Sequence, residues 1–263
     1  MLVLITGTSA EGNRAAARLV GQAIKKNPTL RLGLAAGNTP IGMYRNLVDL
    51  HRSEYLDFSH VRIFSLDEFH GLPTNSPYSY HAFFHHHLLD HINADPTHLH
   101  LLNGKADQDL SAYCATYERL IRDLGGIDLQ VLGIGRNGHL GFNEPGSSLD
   151  SRTRISPLTP ESRGTLARAF GQTQVPELAV TMGLGTIREA RALLLLAYGK
   201  HKAEAVAKAV EGPLSVSTPA SIVQLHPTAI LVLDRAAASS LTNQMDYHQN
   251  ASEMANVLPD WLR

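Results

Sequence analysis

The chain has 263 residues, with 23 Lys and Arg against 24 Asp and Glu and a formal net charge of -1. That balance gives no overall field for nucleic acid or an anionic membrane, so an anionic ligand has to be held by local groups. The single cysteine, Cys114, excludes an internal disulfide and suits a reducing compartment, and no apolar run approaches the ~20 residues that span a bilayer.

In chain order, Leu2–Thr6 reads as the first strand. It is apolar, but it has no basic region before it and is too short for a signal peptide, so a cytoplasmic protein is expected. A helix over Ala10–Lys25 follows, then a strand over Arg31–Ala36, a helix over Pro40–His51 and a strand over Val61–Leu66. Helices are expected at Tyr80–His91 and Leu110–Leu124, and strands at Asp128–Gly133, Leu178–Met182 and Ala192–Ala197. A helix over His201–Val210 and a strand over Ile230–Asp234 close the pattern. Short Leu-, Ile- and Val-rich runs alternating with helices indicate an α/β fold. Its sheet is open and mostly parallel, with helices on both faces. With no linker, low-complexity tract or internal repeat, residues 1–263 are expected to form a single domain.

Ligands of such sheets collect beyond the carboxyl ends of the strands. Four segments have that placement: Gly37–Pro40, Asp67–Pro73, Gly135–Gly146 and Gly199–Lys202. In the first, Thr39 is expected to cap the next helix, with Pro40 at its first position. The turn around Gly37, Asn38 and Thr39 serves either as a plain capped turn or as a seat for an anion. In the second, Asp67 and Glu68 are adjacent on extended chain, so at most one of them enters a cleft. A carboxylate there is either a proton-transfer group or a helix cap.

The third segment packs Asn137, His139, Asn143 and Glu144 among glycines, placing a histidine near a carboxylate. It does not follow the glycine pattern of dinucleotide sites. Downstream, Arg168 and the Lys200-His201-Lys202 cluster are candidates for a phosphate. The consecutive His85, His86 and His87 fan around a helix and do not form a metal-ligand pair. The lone Trp261 reads as a packing anchor.

Taken together, these segments resemble the glucosamine-6-phosphate deaminase family over nearly the whole chain. The residues that carry the resemblance are Gly37-Asn38-Thr39-Pro40, Leu66-Asp67-Glu68-Phe69, the run Gly138 to Pro145 and Ser151-Arg152-Thr153-Arg154. Thr181 to Thr186 and Gly199 to Ala203 add to it. The resemblance implies a Rossmann-like fold of the deaminase/phosphogluconolactonase type and a role in amino-sugar metabolism, within N-acetylglucosamine catabolism.

It further implies that Asp67 shuttles a proton between C2 and C1 of the sugar, and that His139, supported by Glu144, assists ring opening. Asn137 occupies a ring-opening position that is Asp in some members, and is expected to orient His139 by hydrogen bonding. Arg168 and Lys202, with the backbone of Gly37, Asn38 and Thr39, are the implied phosphate ligands. The implied reaction converts D-glucosamine 6-phosphate and water to D-fructose 6-phosphate and ammonia. It requires no metal or organic cofactor, because the substrate's amino group supplies the leaving nitrogen. The expected partner is a small amino-sugar phosphate, with no nucleic acid or membrane; a homo-oligomer is left open.

Ser147 and Arg154 are retained beside the central loop, but Ser156 and Pro157 stand where allosteric bacterial members carry a Lys-Thr pair for N-acetylglucosamine 6-phosphate. Weak activation by that effector is therefore expected. Three other readings compete: a galactosamine-6-phosphate deaminase or isomerase, a 6-phosphogluconolactonase, and a non-catalytic sugar-phosphate sensor.

Overall fold

Residues 1–105, 109–169, 175–247 and 259–262 are described in the computed structural model, the side chains at 161, 165, 168 and 169 excepted. Its strands are β1 (Leu2–Thr6), β2 (Arg31–Leu34), β3 (Arg62–Ser65), β4 (Asp67–Phe69), β5 (Leu99–His100), β6 (Leu129–Gly133), β7 (Arg154–Pro157), β8 (Leu178–Thr181), β9 (Ala192–Ala197) and β10 (Ala229–Asp234). The α-helices are α1 (Ser9–Lys26), α2 (Ile41–Glu54), α3 (Tyr80–His87), α4 (Leu110–Asp123), α5 (Pro160–Ala169), α6 (Leu184–Arg188) and α7 (Ala203–Val210).

Seven strands pair in the order β1-β10-β9-β6-β2-β3-β5, and every pair is parallel. The twofold alternation of side chains divides each buried strand between two cores. Leu32, Leu194, Leu196, Ile230 and Val232 pack with α1, α2 and α3 on one face. Leu132, Leu193, Leu195, Leu231 and Leu233 pack with α4 and α7 on the other. This two-sided burial is why the strands read as continuous apolar runs. Trp261 is partly buried against the first of these cores, as a packing anchor.

The helices start and stop for local reasons. Thr8 accepts the backbone N–H of Glu11 to cap α1, whose last turn carries Lys25 and Lys26 against the helix dipole. Ser79 caps α3, which ends at His87 because Leu88 leaves the helical region; Leu89–His91 continues only as a 3-10 turn. The expected helix over Tyr80–His91 is thus divided. The expected helix over His201–Val210 likewise splits, into a 3-10 turn over Lys200–Lys202 and α7.

Two expectations are corrected. The strand expected over Leu178–Met182 forms as β8 but does not join the parallel sheet. It lies in a separate antiparallel sheet of order β4-β8-β7, pairing Asp67 with Thr181 and Ile155 with Val180. Met182 N–H donates to Leu66 O and Leu66 N–H to Leu34 O, so the chain passes from one sheet to the other at Leu66. Thr39 does not cap α2. Pro40 takes the N-cap position, and no side chain caps the first turn, because the proline side chain has no oxygen to offer its free N–H groups.

Candidate active site

The four polar turns singled out in the sequence follow β2, β3, β6 and β9. These strands are contiguous in the sheet, in the order β9-β6-β2-β3, and their carboxyl ends share one edge. The sheet therefore brings Gly37, Asp67, the Gly135–Gly146 loop and Lys202 to one carboxyl edge, where sheets of this kind open their ligand crevice, although they are far apart along the chain.

Asp67 opens β4 directly beyond the end of β3 and is only 5% exposed. Burial, and then the adjacent Glu68 charge, pushes its carboxyl up to about 8. Its Oδ1 has no hydrogen-bond partner among the described residues. A buried carboxylate left this way is costly for the fold and available to a ligand. Gly141, at φ +58, carries the central loop past it; a Cβ there would stand 3.3 Å from Asp67 Oδ2 and 2.8 Å from Thr181 Oγ1. The loop backbone takes this left-handed, close course because the residue is glycine.

Glu68 points away from the crevice, as alternation requires. Its Oε1 accepts the N–H groups of Phe69 and Tyr80, and its Oε2 accepts that of His81. Of the two adjacent acids, one faces the crevice and the other caps a helix.

The central loop gathers Asn137, His139 and Glu144. Glu144 Oε2 lies 3.4 Å from His139 Nδ1 and accepts Asn137 Nδ2 at 2.7 Å. Its Oε1 accepts Ser162 Oγ at 2.5 Å and Thr159 Oγ1 at 3.2 Å. Burial opposes the charge on Glu144, but the His139 ring, Ser162 and Asn137 together hold its carboxyl down at about 2. The carboxylate is therefore ionised at neutral pH and faces the imidazole. Asn137 acts differently from the sequence expectation: it does not bond the His139 ring. Its amide donates to Glu144, while its Oδ1 accepts the backbone N–H of His139 at 3.2 Å. It braces the ring's partner and the ring's backbone.

The candidate phosphate groups come from separate turns. Gly37 has φ +99, and a Cβ there would meet nothing within 4 Å, so the turn Gly37-Asn38-Thr39 presents open backbone in front of α2. Lys202 sits at the end of the turn after β9, half-buried, with its Nζ donating to Ile134 O at 2.6 Å. Burial, with Arg136 nearby, lowers its pKa. Lys200 and His201 face solvent. Arg168 lies on α5, and its side chain falls outside the described residues.

Thr159 and Ser162 were not singled out by sequence reasoning. Thr159 and Ser162 stand 15 and 18 residues from Glu144 along the chain and carry no motif; only the fold brings them together. On the helix over Tyr80–His87, His85 Nδ1 pairs with Asp90 at 2.8 Å.

Fold and crevice define an α/β protein with polar turns gathered at the carboxyl edge of a parallel sheet. Residues 8–232 match the family model described as glucosamine-6-phosphate isomerases/6-phosphogluconolactonase, and the chain belongs to that family. A glucosamine-6-phosphate deaminase of Rhodococcus opacus (strain B4) is 45% identical over 262 residues, 99% of both chains. A solved structure of a monomeric glucosamine-6-phosphate deaminase is 45% identical with a TM-score of 0.89, covering 91% of this chain and all of its own. The 6-phosphogluconolactonase of Trypanosoma brucei shares the fold, with a TM-score of 0.74 at 19% identity over 92% of this chain and 98% of its own. Among the described residues no helix is long and apolar enough to cross a membrane.

Proposed function

We propose that this chain is a glucosamine-6-phosphate deaminase that converts D-glucosamine 6-phosphate and water to D-fructose 6-phosphate and ammonia. The observation that carries the proposal is the environment of Asp67. It is a buried carboxyl beside the central loop, raised to about 8, where it can both take and return a proton near neutral pH. Ester hydrolysis of a lactone needs no base that returns its proton to a neighbouring carbon. The names of the relatives that match across the whole chain agree with the deaminase reading.

In this mechanism His139 moves a proton between the anomeric hydroxyl and the ring oxygen, opening the ring to the aldehyde. Glu144 faces the imidazole and stabilises its charge, while Asn137 holds both in place. Asp67 then removes the C2 proton, giving an enolamine, and returns it to C1 to leave an imine at C2. Water adds to that imine, and the adduct collapses to the C2 ketone with loss of ammonia. The phosphate is held by Lys202, Arg168 and the backbone of Gly37, Asn38 and Thr39.

The test is a parallel assay of ammonia and ketose phosphate with glucosamine 6-phosphate, galactosamine 6-phosphate and 6-phosphogluconolactone. Equal release of ammonia and fructose 6-phosphate from the first sugar supports the proposal. A preference for the galactose epimer corrects the substrate, and lactone hydrolysis without ammonia release overturns the reading.

A further inference from the structure

We propose that Glu68 is a positioning residue for Asp67, anchoring β4 to the first turn of α3 so that Asp67 is held facing the crevice. The inference rests on the reading of Asp67 as the base. Glu68 is 2% exposed, and both its oxygens are occupied by backbone donors: Phe69 N–H on its own strand, and Tyr80 and His81 N–H on α3.

Ser79 supplies the remainder of the α3 start, its Oγ accepting Ala82 N–H and its carbonyl accepting Phe83 N–H. The first four N–H groups of α3 are thereby satisfied, two of them by a carboxylate twelve or thirteen residues away in sequence. A surface cap would not require burial, and a buried carboxylate is an expensive way to cap an eight-residue helix. Serving as a cap alone does not explain the residue.

Its position does. Glu68 is joined to Asp67 by one peptide bond on a three-residue strand, so fixing its carboxylate fixes the face from which Asp67 projects. The anchor also extends into the central loop. Phe69 lies 4.5 Å from the Tyr80 ring and 5.4 Å from Phe142, and Tyr80 stacks over Phe142 with rings 6° from parallel. Phe142 is two residues from Glu144. One buried carboxylate thus sets β4, α3 and the loop of His139 and Glu144 in register.

The titratable groups facing the pair are the tyrosines Tyr44 from α2, Tyr80 from α3 and Tyr113 from α4, while His81 contributes its backbone N–H. Burial raises the Glu68 carboxyl too, against the three N–H groups it accepts, and a neutral phenol cannot cancel its charge once it ionises, so that charge is felt at Asp67.

Glu68→Gln keeps the shape but removes the charge and turns an amide donor toward one of the three N–H groups. Glu68→Asp keeps the charge but shortens the arm. Both variants should lose kcat by 10-fold or more, on the order of a lost alignment, while KM for glucosamine 6-phosphate changes less than about 3-fold. In Glu68→Gln the acid limb of the kcat–pH profile should also move to lower pH, since a like charge beside the base is gone. In Glu68→Asp the limb should stay where it is in the wild type. A helix cap without this role would lower thermal stability and leave kcat at the wild-type value in both variants, which overturns the proposal. If Glu68→Gln does not fold, a wild-type kcat in Glu68→Asp overturns it equally. Asp67→Asn, assayed in parallel for C2 proton exchange with solvent, separates the two failures: retained exchange there refutes the underlying base, not the anchor.

Discussion

At the scale of single residues, Asp67 bears a conflict between folding and chemistry. Its carboxyl is raised from 3.8 to about 8 by burial and then by Glu68. A group with a raised folded pKa contributes stability that is complete below its unfolded value and is lost as pH rises through the folded one. Between about pH 4 and pH 8 the fold should therefore lose stability, because the unfolded chain releases this proton there while the folded chain keeps it. Asp67→Asn removes that loss. The variant should be inactive, without exchange of the C2 proton, yet more stable than the wild type by a few kcal/mol at pH 8. The gap should shrink toward pH 4, which thermal melts across that range would show; a gap of constant size would mean the charge is not the cause. Glu144 has the opposite sign, since its depressed carboxyl, at about 2, stabilises the fold above pH 4.5 and ceases to do so as pH falls toward 2. Glu144→Gln should therefore destabilise at pH 7 and approach the wild type in acid.

At the scale of elements, legibility depended on where a segment's stability comes from. β9 has the bounds read from sequence because its apolar run is buried on both faces, and β1, a partly exposed edge strand, has them because it pairs with β10 along its whole length. β2 stops at Leu34, two residues early, where Ala35 O is taken by the Tyr44 hydroxyl at 2.6 Å. β4 and β7 were invisible. β4 carries two acids in three residues, and β7 ends in Pro157, which is tolerated only because β7 is an edge strand. Both owe their form to β8, which reads as a strand but whose antiparallel pairing with them no local pattern announces. The crevice was legible as four turns, whereas the hydroxyls on Glu144 and the reach of Glu68 to α3 were not.

Two predictions belong to elements. Asp128, just before β6 at the amino edge of the sheet, accepts three donors from Arg31 and one from Arg191 and is 2% exposed. Asp128→Ala should cost about 3 kcal/mol in chemical denaturation by leaving buried donors unpaired, with KM unchanged because the crevice lies at the opposite edge. β7 bears on regulation. Ser156 is buried with its hydroxyl bound to Phe142 O, Pro157 has no N–H, and Arg154 is engaged with Asn143 and Ser147. Substrate saturation curves should therefore change little on adding N-acetylglucosamine 6-phosphate; a large leftward shift would refute this.

At the scale of the whole molecule, the ligands proposed for the phosphate sit on elements that no short stretch of chain connects. Gly37, Asn38 and Thr39 follow β2, Lys202 follows β9, and Arg168 lies on α5. Between the first two runs β6, to whose far end Lys202 is tied through Ile134 O. An anion bound across these turns exists only while the parallel sheet is intact, so inorganic phosphate should bind the folded state alone and raise its melting temperature. At a hundred times its dissociation constant the gain should be about 2.7 kcal/mol. Lys202→Ala and Arg168→Ala should each reduce the affinity by about 1.5–3 kcal/mol, the worth of a charge-assisted hydrogen bond. Lys202→Ala also loses its bond to Ile134, so its stability without phosphate is expected to differ from the wild type. The diagnostic quantity is thus the phosphate-induced increment within each protein, measured over a phosphate titration at fixed ionic strength. Wild type should show a saturable rise, and each variant should need roughly 10-fold or more phosphate for the same increment. The same two variants should be less sensitive to phosphate as a competitor of the sugar substrate. Identical increments in all three proteins would place the phosphate elsewhere and detach Lys202 and Arg168 from the site.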